Sequence, residues 1–136
     1  MSWLKKSLML AVLGLGLMMG GAPKEAHAVG GEYSYQTFYL GWMSFDCATN
    51  AVKYSSRITT YGYQGYELSY YAYLYGYYGY IYGNSQYAYY TEGKAYWSYQ
   101  ACGAEWQYFG GNDWWYYAAA YSGYQYTYCY YVYTYE

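Results

Sequence analysis

The sequence predicts an all-β fold, an antiparallel meander of roughly 7–9 short strands closing into a small sandwich or barrel. Three observations predict it. From Tyr61 to Tyr99, and most clearly from Tyr70 to Tyr82, tyrosine recurs at nearly every second position. That is the period of a strand, whose successive side chains point to opposite faces. Turn-forming residues punctuate the run at Gln64-Gly65, Gly76, Gly83-Asn84-Ser85, Glu92-Gly93, Gly103, Gly110-Gly111-Asn112-Asp113 and Ser122-Gly123. Spacing of roughly 8–12 residues between such signals suits consecutive hairpins. Tyrosine doublets at Tyr70-Tyr71, Tyr77-Tyr78, Tyr89-Tyr90 and Tyr130-Tyr131 shift the tyrosine-bearing face, as a β-bulge or strand end would.

Taken in order, the chain opens with Lys5 and Lys6, an apolar run from Ser7 to Gly21, and Ala26-His27-Ala28. This is the arrangement of a secretory signal peptide over residues 1–28, with cleavage after Ala28. The apolar run falls short of the roughly 20 residues that a spanning helix needs, so no membrane span is expected in the mature chain. Residues 29–136 then form a single tyrosine-rich domain. Glu32 to Met43 reads as a strand bent at Gly41. Ser44 to Thr60 contains one tyrosine and reads either as a short helical turn capped by Asp46, with Ala48, Ala51 and Val52 on one side, or as a polar loop entering a strand at Tyr54. Seven strands follow, at Glu67–Tyr75, Tyr77–Tyr82, Gln86–Thr91, Lys94–Ala101, Ala104–Phe109, Trp114–Tyr121 and Tyr124–Tyr135.

Cleavage removes Lys5, Lys6, Lys24 and Glu25, which moves the net charge from −2 to −4 over the remaining 108 residues. All 31 tyrosines stay, and the one histidine, His27, goes. Large aliphatic side chains are scarce, so the expected core is aromatic, with rings packed and hydroxyls at the surface, where they avoid the roughly 1–3 kcal/mol cost of an unpaired buried donor.

Without histidine, Ser-His-Asp and Cys-His catalysis and histidine-based zinc sites are excluded. Few basic residues argue against nucleic acid. Glu67, Glu92, Glu105 and Asp113 are the acids that stand among aromatic residues, but acids beside turns are normally solvated, and the expectation is no enzyme, no cofactor and no metal. Of three cysteines in an oxidising compartment, Cys102 and Cys129 are the expected disulfide, leaving Cys47 as a free or intermolecular thiol. Trp97, Trp106, Trp114 and Trp115 are candidate stacking residues, because a flat ring packs against the C–H face of a sugar.

No motif carries a resemblance to a family. Richness in tyrosine is shared with eggshell, coat and matrix proteins, a likeness of composition alone. The reading is a secreted structural or interaction protein of an envelope, matrix or coat that self-associates, with phenols close enough for oxidative coupling. The alternative is a small all-β module that binds carbohydrate, a cell-wall polymer or a protein surface through exposed Tyr and Trp.

Overall fold

The computed structural model describes residues 30–83 and 85–136; the expected signal peptide, 1–28, lies outside the described residues. Four long helices account for nearly all of them: α1 (Glu32–Tyr54), α2 (Thr60–Tyr82), α3 (Ser85–Tyr108) and α4 (Asp113–Tyr135). No strand occurs among the described residues. The meander, its hairpins, its bulges and the sandwich or barrel are therefore all overturned in favour of a four-helix bundle. Each helix packs along its neighbours in the chain, α4 closes on α1, and the diagonal pairs scarcely touch. Short connections at 55–59, 83–84 and 109–112 make the topology up-down-up-down.

The physical reason for the reversal lies in which residues are buried. In α1 these include Ser34, Thr37, Gly41, Ser44, Ala48 and Ala51; in α2, Gly62, Gly65, Ser69, Ala72 and Gly76, with the half-buried Gly79 continuing the row. In α3 they include Ala88, Thr91, Ala95, Ser98, Cys102 and Glu105, and in α4 Trp115, Ala118, Ser122, Gln125, Cys129 and Val132. Every row advances in alternating steps of three and four residues. That is the heptad spacing by which one stripe of a helix stays turned toward its partners. In α2 and α4 tyrosine occupies most of the other positions, and such filling around a three-four stripe yields the near-alternation that resembles a strand.

Antiparallel packing stacks the four rows into six layers. One of the two middle layers holds a serine from each helix: Ser44, Ser69, Ser98 and Ser122. Ser44 and Ser122 hydroxyls lie 2.6 Å apart, and Ser122 donates to Ser98 at 2.9 Å. Ser98 also reaches the Gly65 carbonyl at 3.3 Å, and Ser69 donates to the Tyr66 carbonyl at 2.7 Å. Each such bond adds roughly 0.5–1.5 kcal/mol net. More importantly, the layer aligns all four helices in one register, since a slipped helix would leave buried hydroxyls without partners. On one side lies the layer of Gly41, Ala72, Ala95 and Gln125, where the Gln125 amide fills the place of an absent Gly41 side chain and donates to the carbonyls of Thr37 at 3.1 Å and Ala72 at 3.0 Å.

Carboxylates from the ends of two helices close the bundle. Glu136, after α4, accepts from Gly31 N at 2.8 Å, Ser34 N at 3.0 Å and Ser34 Oγ at 2.7 Å. It thus supplies the cap that Gly31 lacks. At the opposite end the buried Glu105 accepts from Thr59 N at 3.0 Å and from the Thr59 hydroxyl, just ahead of α2. Both place negative charge where helix dipoles favour it. Asn112 caps α4 by accepting from Trp114 N at 3.1 Å, while its amide donates to Ala51 O and Ser55 Oγ, each at 3.1 Å.

Most of the expected turn signals fall inside helices. Gly65 and Gly76 lie in α2, Gly93 and Gly103 in α3, Gly123 in α4. Gly83, left-handed at φ 65°, ends α2 as a helix-terminating glycine, and Gly110, φ 68°, sits in the loop before α4. Ser44 to Tyr54 continues α1, with Ala48 and Ala51 buried, and Asp46 caps nothing.

The core also departs from expectation. Large rings do fill the space between α1 and α2, where Phe38 and Phe45 lie 5.2–6.1 Å from the rings of Tyr66, Tyr70, Tyr73, Tyr77 and Tyr80. Between α3 and α4 the interior is mostly small side chains, with Trp115, Gln125 and Glu105 the larger ones. Of the residues in the four rows of the seam, Trp115 alone is aromatic.

This packing predicts opposite outcomes for two glycines within helices. A Cβ at Gly65 would stand 2.5 Å from Cys102 Sγ and 3.0 Å from Cys102 N, so Gly65→Ala is expected to destabilise by about 1–3 kcal/mol. Gly93 has nothing within 4 Å of the same position, and Gly93→Ala is expected to stabilise by about 0.5–1 kcal/mol. Urea denaturation of the two variants beside the parent measures both signs.

Candidate functional site, the aromatic coat of the second hairpin

With the seam taken up by small residues, the rings outside it become the chemical surface. They are distributed unevenly. On α1 and α2 the strongly exposed rings are Tyr54, Tyr61 and Tyr82, close to helix ends. On α3 and α4 they run the whole length, from Tyr89, Tyr90 and Tyr96 to Trp106 and Tyr108, and from Trp114 to Tyr135. The cause is the asymmetry of the interior. On α1 and α2 many rings are drawn inward around Phe38 and Phe45; α3 and α4 meet through a seam too narrow to admit them.

Of the four expected stacking residues, Trp97 is 60% exposed, Trp106 39% and Trp114 37%, whereas Trp115 is fully buried. Trp115 is a core residue whose indole N–H donates to Ser55 Oγ at 3.3 Å. Trp106 and Trp114 are joined through two tyrosines. Trp106 lies 5.0 Å from Tyr116, Tyr116 lies 5.5 Å from Tyr117, and Tyr117 lies 6.2 Å from Trp114. These rings are inclined at 53°, 75° and 68° to one another, so the cluster is rugged rather than flat. Trp97 stands apart, edge-on to Tyr96 at 5.2 Å, beside a groove of about 440 Å³ that includes Tyr61, Leu68 and Ala104.

A second groove, of about 420 Å³, runs between α3 and α4. Ala120 and Gly123 form its floor, and Tyr96, Tyr99, Tyr124 and Tyr126 its walls. Sequence reasoning passed over this groove, although the small Ala120 and Gly123 among tyrosines were its signal. A third space, about 280 Å³, opens where Ser34, Thr37, Thr91 and Glu136 meet at one end of the bundle. Its polar groups are committed elsewhere: Thr37 and Thr91 donate to Tyr33 O and Tyr87 O at 2.8 and 2.6 Å, and Glu136 holds the start of α1.

The disulfide expectation is corrected. Cys47, Cys102 and Cys129 are all free and all buried. Cys102 packs over Gly65, while Cys129 lies near Glu92, close to the other end of α3. At about 1.5 Å of rise per residue the two are separated by roughly 15 Å along the bundle, and a disulfide needs Cα atoms within about 7 Å. Cys47 is a free thiol enclosed by the core.

Among the described residues no three His, Cys, Asp or Glu side chains gather into a metal site, and no helix is long and apolar enough to cross a membrane. The acids singled out from the sequence are dispersed. Glu105 is a buried cap, Asp113 accepts from the Trp106 indole at 3.2 Å, and Glu67 is exposed on α2. Comparison with protein-family models, with curated proteins and with solved structures finds no match to this chain.

Burial has a consequence for pH. It pushes the Cys47 thiol from its ordinary 9.0 to about 11, helped by the Asp46 charge, and Cys102 from 9.0 to about 12 despite the Ser98 hydroxyl. It raises Cys129 further, takes Tyr66 from 10.0 to about 12, and also raises Tyr73. These groups release protons more readily from the unfolded chain than from the folded one. Stability from this source is therefore intact below pH 9 and declines as the pH rises toward 12. The urea midpoint is expected to hold up to about pH 9 and then fall steadily. The thiols are expected to resist a disulfide reagent in the native protein at pH 8 and react once urea unfolds it.

Proposed function

We propose that the chain is a secreted, non-enzymatic structural or interaction protein of an envelope, matrix or coat, and that it self-associates through the aromatic surface of α3 and α4. The observation that carries this reading is the row of eight exposed rings along α4 alone, from Trp114 to Tyr135, each 37–66% exposed. At roughly 150–250 Å² per ring they present on the order of 800 Å². That exceeds the few hundred Å² of apolar patch usual for a monomer and equals about one partner's share of a standard interface. Export rests on the basic, apolar and small-residue pattern of residues 1–28.

A second copy suits this surface because little charge interrupts it. Lys94, the cation of α3, lies over the Tyr71 ring on the α2 side, and Asp113 is bonded to Trp106. Phenols can meet phenols without like charges being forced together. The carbohydrate-module alternative calls for exposed rings in one plane, and the tilts within the Trp106–Tyr116–Tyr117–Trp114 cluster favour an adaptable protein contact instead.

Sedimentation of residues 29–136 over a wide concentration range tests the reading. Concentration-dependent association is expected, weakened roughly tenfold or more by combining Tyr124→Ser with Tyr130→Ser, with helicity by circular dichroism unchanged. A chain that stays strictly monomeric at the highest attainable concentration overturns it.

A further inference from the structure

The groove between α3 and α4 holds one tyrosine pair whose arrangement differs from the rest. Tyr96 of α3 and Tyr126 of α4 face each other with centroids 5.6 Å apart and planes at 49°, and they are 39% and 41% exposed. Both line the groove, together with Ala120 and Gly123. Among the described residues Tyr126 has one ring neighbour, and that neighbour is Tyr96. Other cross-helix contacts belong to larger clusters, such as Tyr33 with Tyr128, Tyr131 and Tyr135. A radical formed on Tyr126 thus has a single aromatic partner within reach.

The geometry points to Tyr96 and Tyr126 as an oxidative cross-linking site, in which peroxide acting with a peroxidase joins α3 to α4 through a dityrosine bond. Each phenol gives up one electron and its hydroxyl proton. The two phenoxyl radicals join through a carbon–carbon bond between ortho positions. The hydrogen on each coupled ortho carbon then moves to the oxygen and restores the aromatic ring. The pair has lost two electrons and two protons, and these reduce one peroxide to two waters.

The sulfur-containing targets for the oxidant are withdrawn. All three thiols are buried, and burial holds them in the protonated form, which is poor in the oxidisable thiolate. The one methionine among the described residues, Met43, is half-buried. Exposed aromatic rings are what remains. The inference goes beyond self-association, since the bond forms within one molecule.

Residues 29–136 are treated at high dilution with peroxidase and limiting hydrogen peroxide, and the monomer fraction is then denatured and cut after glutamate. Cleavage at Glu92 and Glu105 leaves Tyr96 and Tyr126 on separate fragments. The expected product is those two fragments joined and lighter than their sum by two hydrogens. It should be lost in Tyr126→Phe and retained in Tyr130→Phe, both conservative changes at exposed positions. Absence of the joined fragment from oxidised monomer, or its persistence in Tyr126→Phe, overturns the site. Neither result bears on the sedimentation experiment, whose outcome is independent.

Discussion

Close approach of four helix backbones along a seam of small residues governs this molecule. Serine, glycine, alanine, threonine and cysteine occupy most of the six layers, so the helices are held by short-range packing and by hydroxyls exchanged between helices at Ser44, Ser98 and Ser122. Helix propensity contributes little. The glycines at 62, 65, 76 and 79 each disfavour α2 by about 1 kcal/mol relative to alanine. What they provide is proximity, and tertiary contact overrides the local preference.

From that seam follow the two halves of the bundle. Phe38 and Phe45 fit beside the seam on α1 and gather the tyrosines of α2 around them. On α3 and α4 the equivalent rings stay outside, and one half of the molecule becomes cohesive while the other presents its rings to whatever it meets. Glu105 and Glu136, each sitting on the start of a different helix, fasten the two ends. Glu105, which stood among the candidate acids in the sequence, serves the architecture.

The fold was legible in the chain, though in the wrong residues. Gly62, Gly65, Ser69, Ala72, Gly76 and Gly79 spell the three-four repeat of α2 plainly. They were passed over because glycine and serine ordinarily signal turns and because large side chains ordinarily define a core. Gly83 and Gly110 were true punctuation and open clusters of turn-forming residues, whereas Gly65 and Gly76 stand among tyrosines and glutamine and are packing positions. The same holds at the surface. Trp114 and Trp115 are adjacent, yet the helix turns them to opposite fates, one on the coat and one in the core. The Cys102–Cys129 pairing failed for want of register, since positions that neighbour each other in a hairpin lie at different heights in a bundle. Sequence could show that tyrosine was abundant, and it could not show that two helices would carry most of its exposure.

Because buried contacts rather than the outward rings specify the architecture, the coat is free to drift. Substituting serine or glutamine for an outward tyrosine on α3 or α4 would alter what the molecule meets and leave its helices where they stand, whereas one extra methyl at Gly65 would not be tolerated so lightly. Descendants of a common ancestor could therefore share this bundle while sharing no tyrosine. Their kinship would be written in the spacing of their smallest residues.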